Sequence, residues 1–158
     1  VDVVGLTDAT SLAVGVNHSC VATAGGEGWC WGVNLKGGLG DGSTTASAVP
    51  VAASGVSGAT SVAAGTWHTC AVLGDGSARC WGDNSESQAG QPAGPNQLLP
   101  VTVDGLSGAV QASADLRNSC AVRTDATGRC WGDNSQGQLG TGTTADRHRA
   151  DQPVVTVR

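Results

Sequence analysis

Six cysteines offer the most definite chemistry in this 158-residue chain. They form three pairs, Cys20 with Cys30, Cys70 with Cys80 and Cys120 with Cys130, and each second cysteine is followed at once by Trp-Gly. Nine residues separate the members of a pair, whereas zinc knuckles space their thiolates about two to four residues apart with further ligands close by. The pairs therefore read as disulfides, with metal ligation and free structural thiols as the alternatives. Disulfides imply an oxidising compartment: secreted, extracellular or periplasmic. His18 and His68 each stand two residues before a cysteine, where an imidazole could be a ligand or a base. The third copy of that position is Asn118, which hydrogen-bonds but does no acid–base work, so a structural role is the stronger reading for both histidines.

The tryptophans divide into two sets. Trp31, Trp81 and Trp131 recur with the cysteine pairs and read as a repeated packing wedge whose indole N–H needs a partner. Trp29 and Trp67 do not recur, so they are candidates for an interface with protein or glycan, with extra core filling as the plain alternative. A cationic cluster, Arg147, His148 and Arg149, lies in a variable segment and is either a binding loop or a solvated one. Two Gly-Asp-Gly-Ser stretches, at 40–43 and 74–77, lack the spaced carboxylates that calcium requires and read as turns. No nucleophile–base pair and no Gly-x-Ser-x-Gly, His-Glu-x-x-His or phosphate-loop motif is present. A non-enzyme without cofactor or metal is the expectation.

The elements that must position these residues follow from a 50-residue period that runs without drift from Cys20 to Cys70 to Cys120. Units of that size are supersecondary and bury their faces only by stacking on neighbours. Gly supplies 25 residues, Phe, Tyr, Met and Ile are absent, and the core must come from Val, Leu, Ala and five Trp. In the second unit, Gly74-Asp75-Gly76 marks a hairpin turn. Residues whose numbers sum to 150 then lie opposite one another, which pairs Cys70 with Cys80 across two antiparallel strands. A non-hydrogen-bonded position brings opposed residues close enough for a disulfide. The same geometry repeats at Cys20–Cys30 and Cys120–Cys130.

Each unit reads as a small-residue strand, the two cysteine strands, a polar loop after Trp-Gly, and a last strand at Pro50-Val51, Pro100-Val101 or Pro153-Val154. The third variable segment is three residues longer than the others. Four short strands per unit without helical periodicity give an all-β chain of four-stranded antiparallel blades. The divisions expected are residues 1–4 as the end strand of a preceding repeat, then repeats at 5–54, 55–104 and 105–158. The chain begins Val1-Asp2 without Met, as a mature, processed or excised product would. A net charge of −5 argues against a nucleic-acid partner, and no run of 18 apolar residues suggests a membrane span.

Trp131-Gly132-Asp133-Asn134-Ser135-Gln136-Gly137-Gln138-Leu139-Gly140 resembles the Trp-Gly-x-Asn-x-x-Gly-Gln-Leu-Gly signature of RCC1-type repeats. Ala63-Ala64-Gly65-Thr66-Trp67-His68-Thr69-Cys70-Ala71-Val72 is similar to that family's Ala-Gly-x-x-His-Ser/Thr-x-Ala-Leu stretch. The resemblance covers nearly the whole chain. It implies an RCC1-like β-propeller, usually of seven blades, with repeat and blade boundaries offset so that neighbours clasp, and with the histidine donating to the backbone of the following turn. In the family, repeats serve mainly as interaction platforms. One branch exchanges nucleotide on a small GTPase and binds chromatin, and a bacterial one inhibits β-lactamases, but no partner-contacting motif of either is present here.

Four features depart from the pattern. Three repeats cannot close such a ring, so the chain is a partial propeller or an assembling fragment. The third unit reads Asp115-Leu116-Arg117-Asn118 in place of Gly-x-x-His, and the second ends Ser87-Gln88-Ala89-Gly90. The cysteine pairs point to a secreted, bacterial-type branch. The expected function is a non-catalytic, secreted binding or structural module that meets a protein partner or further copies of itself. A carbohydrate-binding propeller and an inhibitor of a secreted enzyme are the rivals.

Overall fold

The structure, a computed structural model, describes residues 2–151. Two four-stranded antiparallel sheets and one three-stranded sheet follow in chain order. The first holds β1 (Ala9–Val14), β2 (His18–Thr23), β3 (Gly28–Gly32) and β4 (Ser47–Ala52). The second holds β5 (Ala59–Ala64), β6 (His68–Leu73), β7 (Ala78–Gly82) and β8 (Gln97–Thr102). The third holds β9 (Ala109–Asp115), β10 (Asn118–Arg123) and β11 (Gly128–Gly132). In place of a fourth strand, an antiparallel bridge joins Gly132 to Arg147, at the register that pairs Gly32 with Ser47 and Gly82 with Gln97. The extra residues of the third unit therefore come after Arg147. The strand expected from Pro153 onward lies outside the described residues.

Residues 2–4, expected to end a preceding repeat as a strand, form none. The turn after them is kept: Leu6 N–H donates to Val3 O (3.4 Å), as Val56 does to Ala53 and Leu106 to Val103. Among the described residues there is no helix long and apolar enough to cross a membrane.

The middle hairpin of each sheet is stapled. Cys20 opposes Cys30, Cys70 opposes Cys80 and Cys120 opposes Cys130, and each pair forms a disulfide. Their Cα atoms lie 4.0–4.1 Å apart, on the close side of the roughly 4.5 Å typical of non-hydrogen-bonded pairs. In the chain-entropy treatment each small ring contributes about 2–3 kcal/mol. That matters because the cores are thin: one gathers Cys20, Ala22 and Cys30 against Val62, Leu73 and Trp81, the other Cys70, Val72 and Cys80 against Ala112, Ala121 and Trp131.

Side-chain alternation gives each sheet two faces. The face bearing the disulfide packs forward onto the next sheet, and the face bearing Trp81 or Trp131 packs back onto the one before. Main-chain bonds join neighbours at the hairpin turns, Ala59 N–H to Gly26 O and Ala109 N–H to Gly76 O, both 2.9 Å. Gly26 and Gly76 have positive φ, and a Cβ on either would lie 2.6–2.8 Å from the main chain of Gly58 or Gly108.

The polar loop after each Trp-Gly is wound around one buried asparagine. Asn34 Oδ1 accepts from Leu39 N–H (2.9 Å), while its amide donates to the carbonyls of Ser43 and Thr45. Asn134 repeats the pattern with Leu139, Thr143 and Ala145. Asn84 bonds Ala89 N–H and Pro92 O. The loop turns through a left-handed residue, Gly37 (φ 82°) or Gly137 (φ 77°), and the second unit places Ser87 there (φ 68°). A left-handed conformation costs a residue with a Cβ about 1–2 kcal/mol.

Two outcomes follow. Ser87→Gly should stabilise the chain by about 1 kcal/mol in urea denaturation, net of the entropy glycine gives up. Cys120–Cys130 is partly exposed while the other two disulfides are buried. Under limiting reductant, alkylation and peptide mass mapping should label Cys120 and Cys130 first.

Candidate binding faces of the blades

The histidines and repeated tryptophans meet at one carbonyl per sheet boundary. Trp81 Nε1–H donates to Gly38 O (2.8 Å), and the Thr69 hydroxyl donates to the same oxygen (2.8 Å). With its proton committed there, Thr69 Oγ1 accepts from His18 Nε2 at 2.7 Å, which assigns the neutral Nε2–H tautomer. The next boundary repeats the arrangement. Trp131 Nε1–H and the Ser119 hydroxyl both donate to Gln88 O, at 3.0 and 3.3 Å, and His68 Nε2 donates to Ser119 Oγ at 2.8 Å. The histidines thus bond a hydroxyl of the following sheet, not the backbone of the following turn. Neither is placed for acid–base work. Burial pushes both imidazoles down from 6.5 to about 4, and His68 Nδ1 is buried without a partner among the described residues.

Gly15 and Gly65 stand where neither the next sheet nor the imidazole leaves room for a side chain. A Cβ on Gly15 would run into Gly65 O of the next sheet, and one on Gly65 would run into the His68 ring and lie 3.2 Å from Asp115 O. Asp115 and Asn118 are therefore a matched change: the shorter amide leaves the room that a side chain at 115 needs. Asp115 bends its carboxylate back onto Leu116 N–H (2.8 Å).

The faces at the two ends of the array differ from those inside. On the back face of the first sheet, strand register sets Leu12, Val21, Trp29 and Ala52 in one row and Val14, Ser19 and Trp31 in another. The equivalent rows of the second sheet, with Val62 and Ala71 buried, pack against the first sheet. In the first sheet Leu12 is 63% exposed, Val14 is exposed, and both tryptophans are partly so. Trp29 Nε1–H bonds the Glu27 carboxylate (3.1 Å), whereas Trp31, unlike Trp81 and Trp131, finds no carbonyl among the described residues.

The other candidates lie apart from this face. Trp67 lines a cleft with Thr66, Leu116, Arg117 and Asp133 at the second sheet boundary, where Arg117 meets Glu86 at 3.5 Å. Trp29 and Trp67 line different surfaces, so they do not make a joint glycan platform. Arg147 is tied through its backbone to Gly132, and Arg149 pairs with Asp151 (2.8 Å). His148 is exposed between them, and the three line a shallow depression with Ala145 and Asp146. Among the described residues no three His, Cys, Asp or Glu side chains converge. The sequence reading missed the Asn34 loop lock and the Thr69 and Ser119 hydroxyls. The recurrence of Ser/Thr before each cysteine was the available signal for the latter.

Three stacked, stapled antiparallel sheets of this kind are blades of an RCC1-like β-propeller. The chain carries RCC1-type repeats: two family profiles, each described as the Regulator of chromosome condensation (RCC1) repeat, match residues 59–88 and 26–72. The second runs from the β2–β3 turn into β6, so the family's repeat frame straddles two sheets. No curated protein sequence matches the chain.

Among solved structures, yeast RCC1 (Prp20) bound to Kap60 superimposes with a TM-score of 0.83 at 20% identity, over 96% of this chain and 38% of that one. Prp20p from Saccharomyces cerevisiae, in a structure whose title names its binding to Gsp1p and histones, gives 0.79 at 20% identity over 95% and 38%. Human WBSCR16 gives 0.74 at 22% over 90% and 36%. The chain thus spans less than two fifths of each, and likeness at such identities concerns the fold.

The histidines predict a pH dependence. Each is neutral when folded and takes up a proton near 6.5 when unfolded, so its contribution is complete above pH 6.5 and is lost as pH falls toward 4. Together they should cost several kcal/mol across that window, an upper bound from about 1.4 kcal/mol per pH unit for each group. Urea midpoints at pH 7, 6 and 5 should fall, and His18→Gln with His68→Gln should flatten the decline.

Proposed function

We propose that this chain is a non-catalytic, secreted binding module whose blades contact other protein, either an unrelated partner or repeats of its own kind. The observation that carries the reading is the open back face of the first sheet. Leu12, Val14, Trp29 and Trp31 form an apolar, aromatic surface, and tryptophan is among the residues most enriched where binding energy concentrates. One structural neighbour, yeast Prp20, is bound to Kap60 in one structure and is described by its binding to Gsp1p and histones in a second. This supports protein as the class of partner without naming it. The burial and neutrality of both histidines favour a binding role over a catalytic one. The three disulfides favour an oxidising location outside the cytoplasm.

The test is capture from the native extracellular milieu with immobilised, oxidised chain, followed by mass spectrometry. A protein retained by the wild type and lost at least tenfold with Leu12→Asp supports the reading. Retention unaffected by Leu12→Asp and by Trp31→Ala would remove the first sheet as the contact.

A further inference from the structure

The two ends of the array are not equivalent. Where one sheet receives the next, the first and second units supply the same four things: a glycine at the end of the inner strand, a glycine in the hairpin turn, an imidazole, and a loop carbonyl. Both glycines are required sterically, because a Cβ on Gly15, Gly26 or Gly76 would strike the main chain of the following unit.

The third unit has lost three of the four. Asp115 replaces the inner glycine, Ala126 (φ 62°) replaces the turn glycine, and Asn118 is too short to reach the hydroxyl that His18 and His68 bond. Its forward face carries Gln111 and Ser113, both exposed, where the second sheet carries Ser61 and Ala63, and it keeps Val122, 51% exposed, at the place of Val72. Gln138 alone retains the place of the accepting carbonyl. Polar side chains added to an outer face disfavour further stacking.

We infer that the chain is a one-ended module: the Trp31 face of the first sheet accepts a blade, and the forward face of the third sheet refuses one. The occupant is another RCC1-type blade of the internal kind, with glycine at both contact positions, an imidazole, and a loop carbonyl for the Trp31 indole and the Ser19 hydroxyl. This extends an interface already built twice within the chain. The inference rests on the protein-binding reading above and narrows the partner to a blade. It also sets the direction of docking, so copies of the wild-type chain do not join head to tail.

Sedimentation velocity on the oxidised 158-residue chain tests both ends. Wild type should remain a single 15.5 kDa species over a hundredfold range of concentration. Asp115→Gly/Asn118→His/Ala126→Gly restores the internal pattern and should associate progressively as concentration rises. Adding Leu12→Asp to that triple variant should return it to a monomer, since Leu12 is already 63% exposed and its change leaves the core intact. That blocked variant mixed with wild type should form a one-to-one pair and stop, with a blue-shifted tryptophan emission and at least tenfold weaker pairing when the wild-type partner carries Trp31→Phe. Far-UV circular dichroism and non-reducing mass mapping confirm that each variant is folded. A triple variant that folds yet stays monomeric overturns the inference, as does a wild-type chain that associates through Leu12 unaided. Neither result bears on capture of an unrelated protein, which the pull-down reads separately.

Discussion

Each pair of neighbouring sheets is held at one loop carbonyl, Gly38 O at the first boundary and Gln88 O at the second. Each receives an indole N–H and a hydroxyl from the sheet that follows, and the hydroxyl in turn is held by an imidazole from the sheet that presents the carbonyl. Both boundaries are buried, so an unpaired member would carry a desolvation cost of about 1–3 kcal/mol. The asparagine lock earlier in each loop makes sense in this light, because it fixes the backbone whose oxygen must point across the boundary. The glycines at the strand ends and hairpin turns make sense too, since the carbonyl can meet its donors only if two main chains nearly touch.

What could be read from residues alone was whatever lies within one sheet. Cys70 opposite Cys80 follows from a turn centred on Asp75 and simple alternation, and the observed register is the one that arithmetic gives. The four-stranded plan follows from the spacing of turn and proline signals. What could not be read lies between sheets. The partner of His18 sits 51 residues away on Thr69, a separation for which the chain offers no local signal, and analogy pointed to a turn instead. Trp29 and Trp31 share a face by alternation, but that this face is the uncovered one depends on the order in which sheets stack. Arg147 looked like part of a variable loop and instead holds the register of a strand, because its backbone, not its charge, is what the third sheet uses.

The departures of the third unit from the repeat, taken singly, look like drift. Together they have a common steric cause. A side chain at 115 is compatible with Asn118 and not with an imidazole, and both it and Ala126 are tolerated where no following sheet is packed among the described residues. The first unit, by contrast, keeps every residue of the internal pattern on its forward face and exposes apolar ones behind. The chain is thereby polar in the directional sense, with chemistry for joining at one end and bulk against it at the other.

The closure of each disulfide within a single hairpin has an evolutionary consequence. A unit copied or excised whole brings or removes both of its sulfurs, so no cysteine is ever left without its mate. Genes for such arrays can lengthen or shorten by unequal crossing-over while the oxidative folding of every remaining unit proceeds as before.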